Sequence, residues 1–199
     1  MTRIVAGTVG GRSLTVPPSG TRPTSERVRE AMFSRLEHLG VVDGARVLDL
    51  FAGSGALGLE AASRGAAEVV LVDAARQAAD VARRNAADLG LGRRVRVLAE
   101  PAERAAARLA ADGAPSGGFD LVLIDPPYDL DPAVLNRVLA DLAAPGVLAP
   151  DAVVVLEQAR RGAPFTWPDA LTELSAKRYG DTVVHYAEPR QAEEDPRES

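Results

Sequence analysis

The chain has 199 residues, of which 46% are apolar and 26% charged, and carries a net charge of −5. That is enough for one large domain with a buried core, in proportions ordinary for a globular protein. It has no cysteine, which excludes disulfides, thiolate metal sites and cysteine nucleophiles, and its only histidines, His38 and His185, lie far apart, so no metal centre is expected. No run approaches membrane-spanning length and Met1 to Gly7 lacks the apolar region of a signal peptide, so a cytoplasmic location is expected.

In chain order, short extended pieces at 3–6 and 12–16 flank Gly7 and Gly10-Gly11 and predict a hairpin. A proline-rich loop follows from Pro17 to Pro23. Thr24 or Ser25 then caps a helix to about His38, with Val28, Met32, Leu36 and Leu39 spaced by three and four. Strands are predicted at about 45–49, 68–73, 94–98, 119–125 and 152–157, alternating with helices at about 56–64, 76–89, 102–112 and 131–143. Residues 171–178 and 182–188 flank Tyr179-Gly180-Asp181 and read as a closing antiparallel hairpin. Strand–helix alternation implies an α/β fold, a parallel sheet with helices on both faces. The nearly continuous apolar runs at 119–125 and 152–157 suit strands buried on both sides. The expected organisation is an N-terminal hairpin extension at 1–20, one α/β domain at 21–189 and a polar, disordered tail at 190–199.

Two constellations carry chemistry. Residues 45–58 run from an apolar strand into a glycine turn and then a helix, and Gly53, Gly55 and Gly58 formally satisfy G-x-G-x-x-G. Asp49, four residues before the first glycine, argues against a dinucleotide. A carboxylate there faces a pyrophosphate unfavourably, but it accepts hydrogen bonds from a cationic amino-acid group such as that of S-adenosylmethionine. Asp73 closes the next strand 20 residues past Gly53, where an acid accepts ribose hydroxyls. The second constellation is Asp125-Pro126-Pro127-Tyr128, directly after the apolar run from Phe119 to Ile124. The lone pair of an exocyclic amine is delocalised into its base. Acceptors that hold its two hydrogens draw that lone pair out of plane, while an aromatic ring stacks on the base.

Charge is unevenly spread. From Met1 to Leu36 six arginines (3, 12, 22, 27, 29 and 35) stand against Glu26 and Glu30, a surplus of +4. From Glu188 to the end the balance is −3. The basic end permits RNA contact, with Arg22 and Arg27 as the candidates beside the proline-fixed loop.

Three segments in this order, Thr21 to Leu36 (TRPTSERVREAMFSRL), Val47 to Gly55 (VLDLFAGSG) and Asp125 to Tyr128 (DPPY), resemble the RsmD-type methyltransferases. Arg3 to Gly7 and Gly11-Arg12 resemble that family's start, and the likeness extends to about Glu188. The resemblance implies a Rossmann-like S-adenosylmethionine-dependent methyltransferase fold, with a seven-stranded sheet in which six strands are parallel and one is reversed. It implies methyl transfer to the N2 amine of a guanine in small-subunit (16S) ribosomal RNA, with ribosomal RNA or the assembling small subunit as partner and no metal. Asp49, Phe51, Gly53 and Gly55 would lie around the methionine part of the cofactor and Asp73 at the ribose. Asp125, Pro126, Pro127 and Tyr128 would receive the base. Related enzymes often place a polar residue beside the adenine amine where this chain has Glu100-Pro101; Pro101 has no N–H, so Glu100 is the candidate. An amino-methyltransferase acting on adenine or cytosine, a nicotinamide oxidoreductase and a non-catalytic RNA-binding protein are the alternatives. Asp49 opposes the second, and the intact cradle opposes the third. Nothing in the sequence fixes the oligomeric state, and a monomer is the default expectation.

Overall fold

A computed structural model describes residues 2–17, 25–114 and 117–191. Arg22, Thr24 and the tail from Ala192 lie outside the described residues. In order, the elements are β1 (Thr2–Arg3), β2 (Ser13–Leu14), α1 (Glu26–His38), β3 (Arg46–Leu50), α2 (Ala56–Ser63), β4 (Glu68–Asp73) and α3 (Arg76–Asp88). There follow β5 (Val95–Ala99), α4 (Ala102–Asp112), β6 (Phe119–Ile124), α5 (Pro132–Leu142), β7 (Leu148–Ala159), β8 (Leu171–Tyr179) and β9 (Thr182–Pro189).

The seven-stranded sheet has the order β5-β4-β3-β6-β7-β9-β8. β3 to β7 pair in parallel, β9 runs against β7, and β8 runs against β9. Six strands therefore share one direction and only β9 is reversed, as the resemblance implied. From β3 the chain first winds outward to β4 and β5, then returns to the other side of β3 as β6. That reversal opens a crevice at the carboxyl ends of β3 and β6, where open α/β sheets bind ligands.

Burial on both faces explains why the central strands β3, β4, β6 and β7 carry nearly continuous apolar runs rather than alternating. One face carries Val47, Leu121, Leu123, Val153 and Val155 against Met32, Phe33 and Leu36 of α1, Leu59 of α2 and Ala82 of α3. The other carries Leu48, Leu50, Val122, Ile124, Val154 and Leu156 against Ala105 and Leu109 of α4 and Leu135, Val138 and Leu139 of α5. Trp167 packs against this second core, edge-on to Phe165 at 5.1 Å.

The N-terminal hairpin is present but shorter than its sequence predicts, because other acceptors take its backbone N–H groups. Val5 and Ala6 donate to the two oxygens of Glu60 at 2.7 and 3.0 Å. Thr8 and Val9 donate to the carbonyl and Oγ of Ser63 at 2.7 and 3.1 Å. Gly7 (φ 84°) is required at this approach, since a Cβ there would lie 2.1 Å from the Ser63 carbonyl oxygen. The hairpin thus docks on α2 instead of extending its own ladder. Glu60, fully buried, also accepts from Arg64 Nε at 2.7 Å and lies 3.5 Å from Nε of the fully buried Arg29. Burial pulls the Arg29 pKa down, and Glu60 opposes that pull. Removing one member of such a buried set leaves an uncompensated charge and costs about 3–5 kcal/mol.

Ser25 caps α1: its side chain accepts from Val28 N–H. No helix among the described residues is long and apolar enough to cross a membrane.

Candidate functional site

The crevice is built on strand ends. Asp49 is the fourth residue of β3, registered against Leu71 and Leu123, and is 1% exposed. Its Oδ2 accepts from Gly58 N–H at 2.8 Å, while Oδ1 is buried without a hydrogen-bond partner. The helix comes this close only because residue 58 is glycine: a Cβ would lie 2.3 Å from Leu71 Cδ2 and 3.1 Å from Asp49 Oδ2. Burial pushes the Asp49 pKa up to about 8, helped by the nearby charges of Asp125 and Asp73 and opposed by the Gly58 bond. A buried carboxylate with one unsatisfied oxygen is a receptor for a cation. That is the chemistry an amino-acid ammonium presents, so these residues fit an S-adenosylmethionine-type group.

The turn from Phe51 to Gly55 is held in an unusual backbone. Phe51 has φ 63°, the only positive φ outside glycine among the described residues, and Gly53 and Gly55 follow at 56° and 82°. Such strain at a non-glycine residue persists only where surroundings impose it, and it collects at functional sites. Here Ala52 N–H donates to the Val72 carbonyl at 2.9 Å, and Gly53 N–H donates to Asp73 Oδ2 at 2.8 Å. Asp73 Oδ1 accepts from Ala75 N–H at 2.8 Å. Asp73 therefore braces the glycine turn, a role the sequence did not suggest, and each oxygen keeps acceptor capacity for a further donor. Asn85 of α3 supplies a second brace the sequence left unseen. Its Nδ2 donates to the carbonyls of Ser54 and Thr15, each at 2.9 Å, and its Oδ1 accepts from Thr15 N–H at 2.9 Å.

Asp125 follows β6, and its N–H lies 3.5 Å from the Leu50 carbonyl of β3. Pro126 is buried, whereas Tyr128 is 66% exposed. The Pro127 carbonyl accepts from Leu130 N–H at 3.0 Å, and Asp131 then caps α5 through Ala133 N–H at 2.8 Å. Turn and capped helix thus fix the tetrapeptide. Pro126, Pro127 and Tyr128 line a small cleft together with Glu157, Gln158 and Ala159 from the end of β7 and Gly162-Ala163 beyond it. Glu157 is 5% exposed. The sequence offered one unused signal for it: β3, β4, β6 and β7 each bring a carboxylate to the carboxyl end, at Asp49, Asp73, Asp125 and Glu157.

Other candidates stand apart or are otherwise engaged. Glu100, just past β5, accepts from Arg108 Nη2 at 2.7 Å. Pro101 occupies the N-cap position of α4. The N-terminal arginine surplus is largely structural rather than a free basic surface. Arg29 is buried, Arg3 bonds Glu26 at 3.0 Å, Arg12 donates to the Asp88 carbonyl at 2.9 Å, and Arg35 stacks 4.9 Å from the Tyr186 ring centroid. Arg27 is exposed on α1. A second basic pair, exposed Arg160 and Arg161, sits in the turn after β7, between Ala159 and Gly162 of the cleft wall.

Comparison with known proteins fits this geometry. The family described as conserved hypothetical protein 95 matches residues 2–188. The chain belongs to this RsmD-type methyltransferase family. Ribosomal RNA small subunit methyltransferase D of Escherichia coli (strain K12) is 40% identical over 78% of this chain and 73% of its own length. Its namesake in Haemophilus influenzae is 31% identical over 92% of this chain and 91% of its own. The solved structure of yhhF from Escherichia coli superimposes with a TM-score of 0.79 at 33% identity, covering 94% of this chain and 97% of that one. Fold and family are those of S-adenosylmethionine-dependent methyltransferases, and S-adenosylmethionine is the cofactor they imply.

Proposed function

We propose that the chain methylates the exocyclic N2 amine of a guanine in small-subunit (16S) ribosomal RNA. The observation that carries this reading is the Asp125–Tyr128 cradle at the switch-point crevice, beside an unsatisfied buried carboxylate and a strained glycine turn. The kinship with ribosomal RNA small subunit methyltransferase D supports the choice of RNA.

When bound, the cofactor supplies an electrophilic methyl group. Asp49 Oδ1 would accept from its ammonium, the Phe51–Gly55 turn would hold its methionine part, and Asp73 would accept from the ribose. Glu100, which already accepts from Arg108, would be the candidate on the adenine side. Asp125 and the Pro126 carbonyl each hold one hydrogen of the guanine amine, which localises the lone pair and aims it at the methyl carbon. Tyr128, exposed as a stacking partner needs to be, covers the base. Positioning and electrostatics supply the acceleration, because the methylated amine is acidic enough to lose its extra proton without a strong base.

Mass spectrometry of ribosomal RNA from cells lacking this chain tests the reading. One N2-methylguanine should disappear from the small-subunit RNA and return when the gene is restored. Loss of a methyladenine or methylcytosine instead would move the activity to another base.

The RNA footprint follows from charge. Phosphate contacts are salt-sensitive and independent of sequence, each adding about 0.7–0.9 to the slope of log affinity against log salt. Replacing Arg160 and Arg161 together with alanine is expected to flatten the salt dependence of methylation by about one to two such contacts. Arg27→Ala should flatten it by no more than about one. Cofactor binding and the modified position should not change. An unaltered slope in the double variant would put the footprint elsewhere.

A further inference from the structure

Asn85 is a polar side chain in an apolar place. It stands on the inward face of α3 with Ala78, Val81, Ala82 and Ala86, and it is 3% exposed. An amide buried there must find its hydrogen-bond partners within the protein. Its Nδ2 and Oδ1 pair with the carbonyl and N–H of Thr15, as a neighbouring strand would, just past the end of β2. The second Nδ2 hydrogen goes to the Ser54 carbonyl.

The contact with Ser54 falls inside the glycine turn. The peptide joining Ser54 to Gly55 is held at its carbonyl by Asn85 and at its N–H by the Ala52 carbonyl, 2.7 Å away. A peptide unit is planar, so holding both ends fixes its plane. The three Asn85 bonds also share one orientation of the amide. Turned over, Oδ1 would face the Ser54 carbonyl, acceptor against acceptor, and Nδ2 would face the Thr15 N–H, donor against donor. Thr15 therefore keeps the amide in the state that braces the turn, and the turn keeps it in the state that docks Thr15. The rest of the hairpin is anchored independently. Val5, Ala6 and Val9 are bonded to Glu60 and Ser63 of α2, and Leu14 is buried in the core.

We propose that Asn85 is a positioning residue for S-adenosylmethionine, through which cofactor binding at the Phe51–Gly55 turn and docking of Thr15 strengthen each other. Neither Asn85 nor Thr15 has to touch the cofactor. An occupied turn fixes the Ser54 carbonyl, the carbonyl fixes the amide, and the amide holds Thr15; such coupling is reciprocal. The inference rests on placing the cofactor at that turn and is independent of which base is methylated.

Amide exchange followed by NMR, with and without saturating S-adenosylmethionine, tests the coupling in the unaltered chain. The Thr15 N–H should exchange at least about fivefold more slowly with cofactor, the lower end of ordinary coupling between sites. The Gly53 N–H, bonded to Asp73 in the turn, should slow as well. The Arg190 N–H, bonded to the Ala170 carbonyl at the far edge of the sheet, should not. Variants then locate the link. Asn85→Ala should weaken cofactor binding about tenfold, as loss of a buried hydrogen-bonding partner does, and raise KM for the cofactor with kcat at saturation nearly unchanged. Thr15→Pro removes the N–H that Asn85 accepts and should weaken binding by about threefold or more, although residue 15 lies outside the turn. In an Asn85→Ala background the same substitution should add little. If Gly53 slows and Thr15 does not, or if Arg190 slows as much as Thr15, the proposal is overturned and the cofactor site stands. An Asn85→Ala chain that is less stable yet binds cofactor as the parent does has the same meaning. Unchanged exchange at Gly53 with cofactor bound overturns the placement of the cofactor and the proposal with it. Should Asn85→Ala fail to fold, exchange at Thr15 and the affinity of Thr15→Pro still decide.

Discussion

Asp125→Ala is expected to lower turnover at saturating cofactor by at least roughly a hundredfold, the usual loss when a contact made in the transition state is removed. The argument is geometric. Asp125 stands where β6 ends beside β3, with its N–H directed at the Leu50 carbonyl, so it faces the crevice from the strand next to Asp49. The amine gains nucleophilic character only as its hydrogens are drawn from the base plane, so the carboxylate contributes more to the transition state than to binding. Cofactor affinity should therefore change little. Single-turnover methyl transfer and calorimetry, run on the same preparation, distinguish this from the alternative. If turnover and cofactor affinity fall in proportion, Asp125 is part of the cofactor wall and not of the base cradle. Tyr128 gives an internal control, because stacking needs the ring and not the hydroxyl. Tyr128→Phe should be mild, whereas Tyr128→Ala should lose about 1–3 kcal/mol.

The parts of this site legible in the sequence are those whose chemistry is local. An acid in an apolar strand before a glycine turn made Asp49 a candidate, and a proline pair after a buried strand did the same for Asp125 to Tyr128; the fold brings both to the ends of neighbouring strands. The order of elements was equally readable, since strands buried on both faces must be continuously apolar and the helices between them periodic. What stayed hidden depends on long-range pairing between a side chain and distant backbone. Glu60 and Ser63 receive the N-terminal hairpin across 54 to 57 residues, and Asn85 ties Thr15 to Ser54 across 70 and 31. A glutamate, a serine and an asparagine in ordinary helical stretches carry no mark of such duties. Charge counting failed in an instructive way. A local surplus of +4 said nothing about where the guanidinium groups point, and Arg29 lies in the interior as a counter-ion to Glu60. The exposed pair at Arg160-Arg161 is modest in sequence yet stands at the rim of the cleft.

Cofactor affinity is expected to rise with pH and to release a proton, because of Asp49. The folded, cofactor-free chain holds this carboxyl at about 8, chiefly through burial. An ammonium requires the ionised form, so near neutral pH binding must expel the proton first. Apparent affinity should climb by nearly a factor of ten per pH unit until about pH 8, where an α-amino group of the cofactor's kind begins to lose its own charge. Calorimetry in two buffers of different ionisation enthalpy should count close to one proton released per cofactor at pH 7. Asp49→Asn should abolish that release and weaken binding about 10- to 100-fold, the equivalent of a charged hydrogen bond. Stability should show the linked effect with the opposite sense. The folded pKa lies above the unfolded value of 3.8, so the folded chain binds the proton more tightly than the unfolded chain does. The contribution of Asp49 to stability is then full in acid and declines as pH rises toward 8. Without cofactor, the stability of Asp49→Asn relative to the parent should therefore improve between pH 6 and pH 8, read by chemical denaturation at both values. A parent with no proton release and a relative stability that does not move with pH would mean that Asp49 is already ionised in the fold. In that case its unsatisfied oxygen would have to be stabilised by something other than the cofactor.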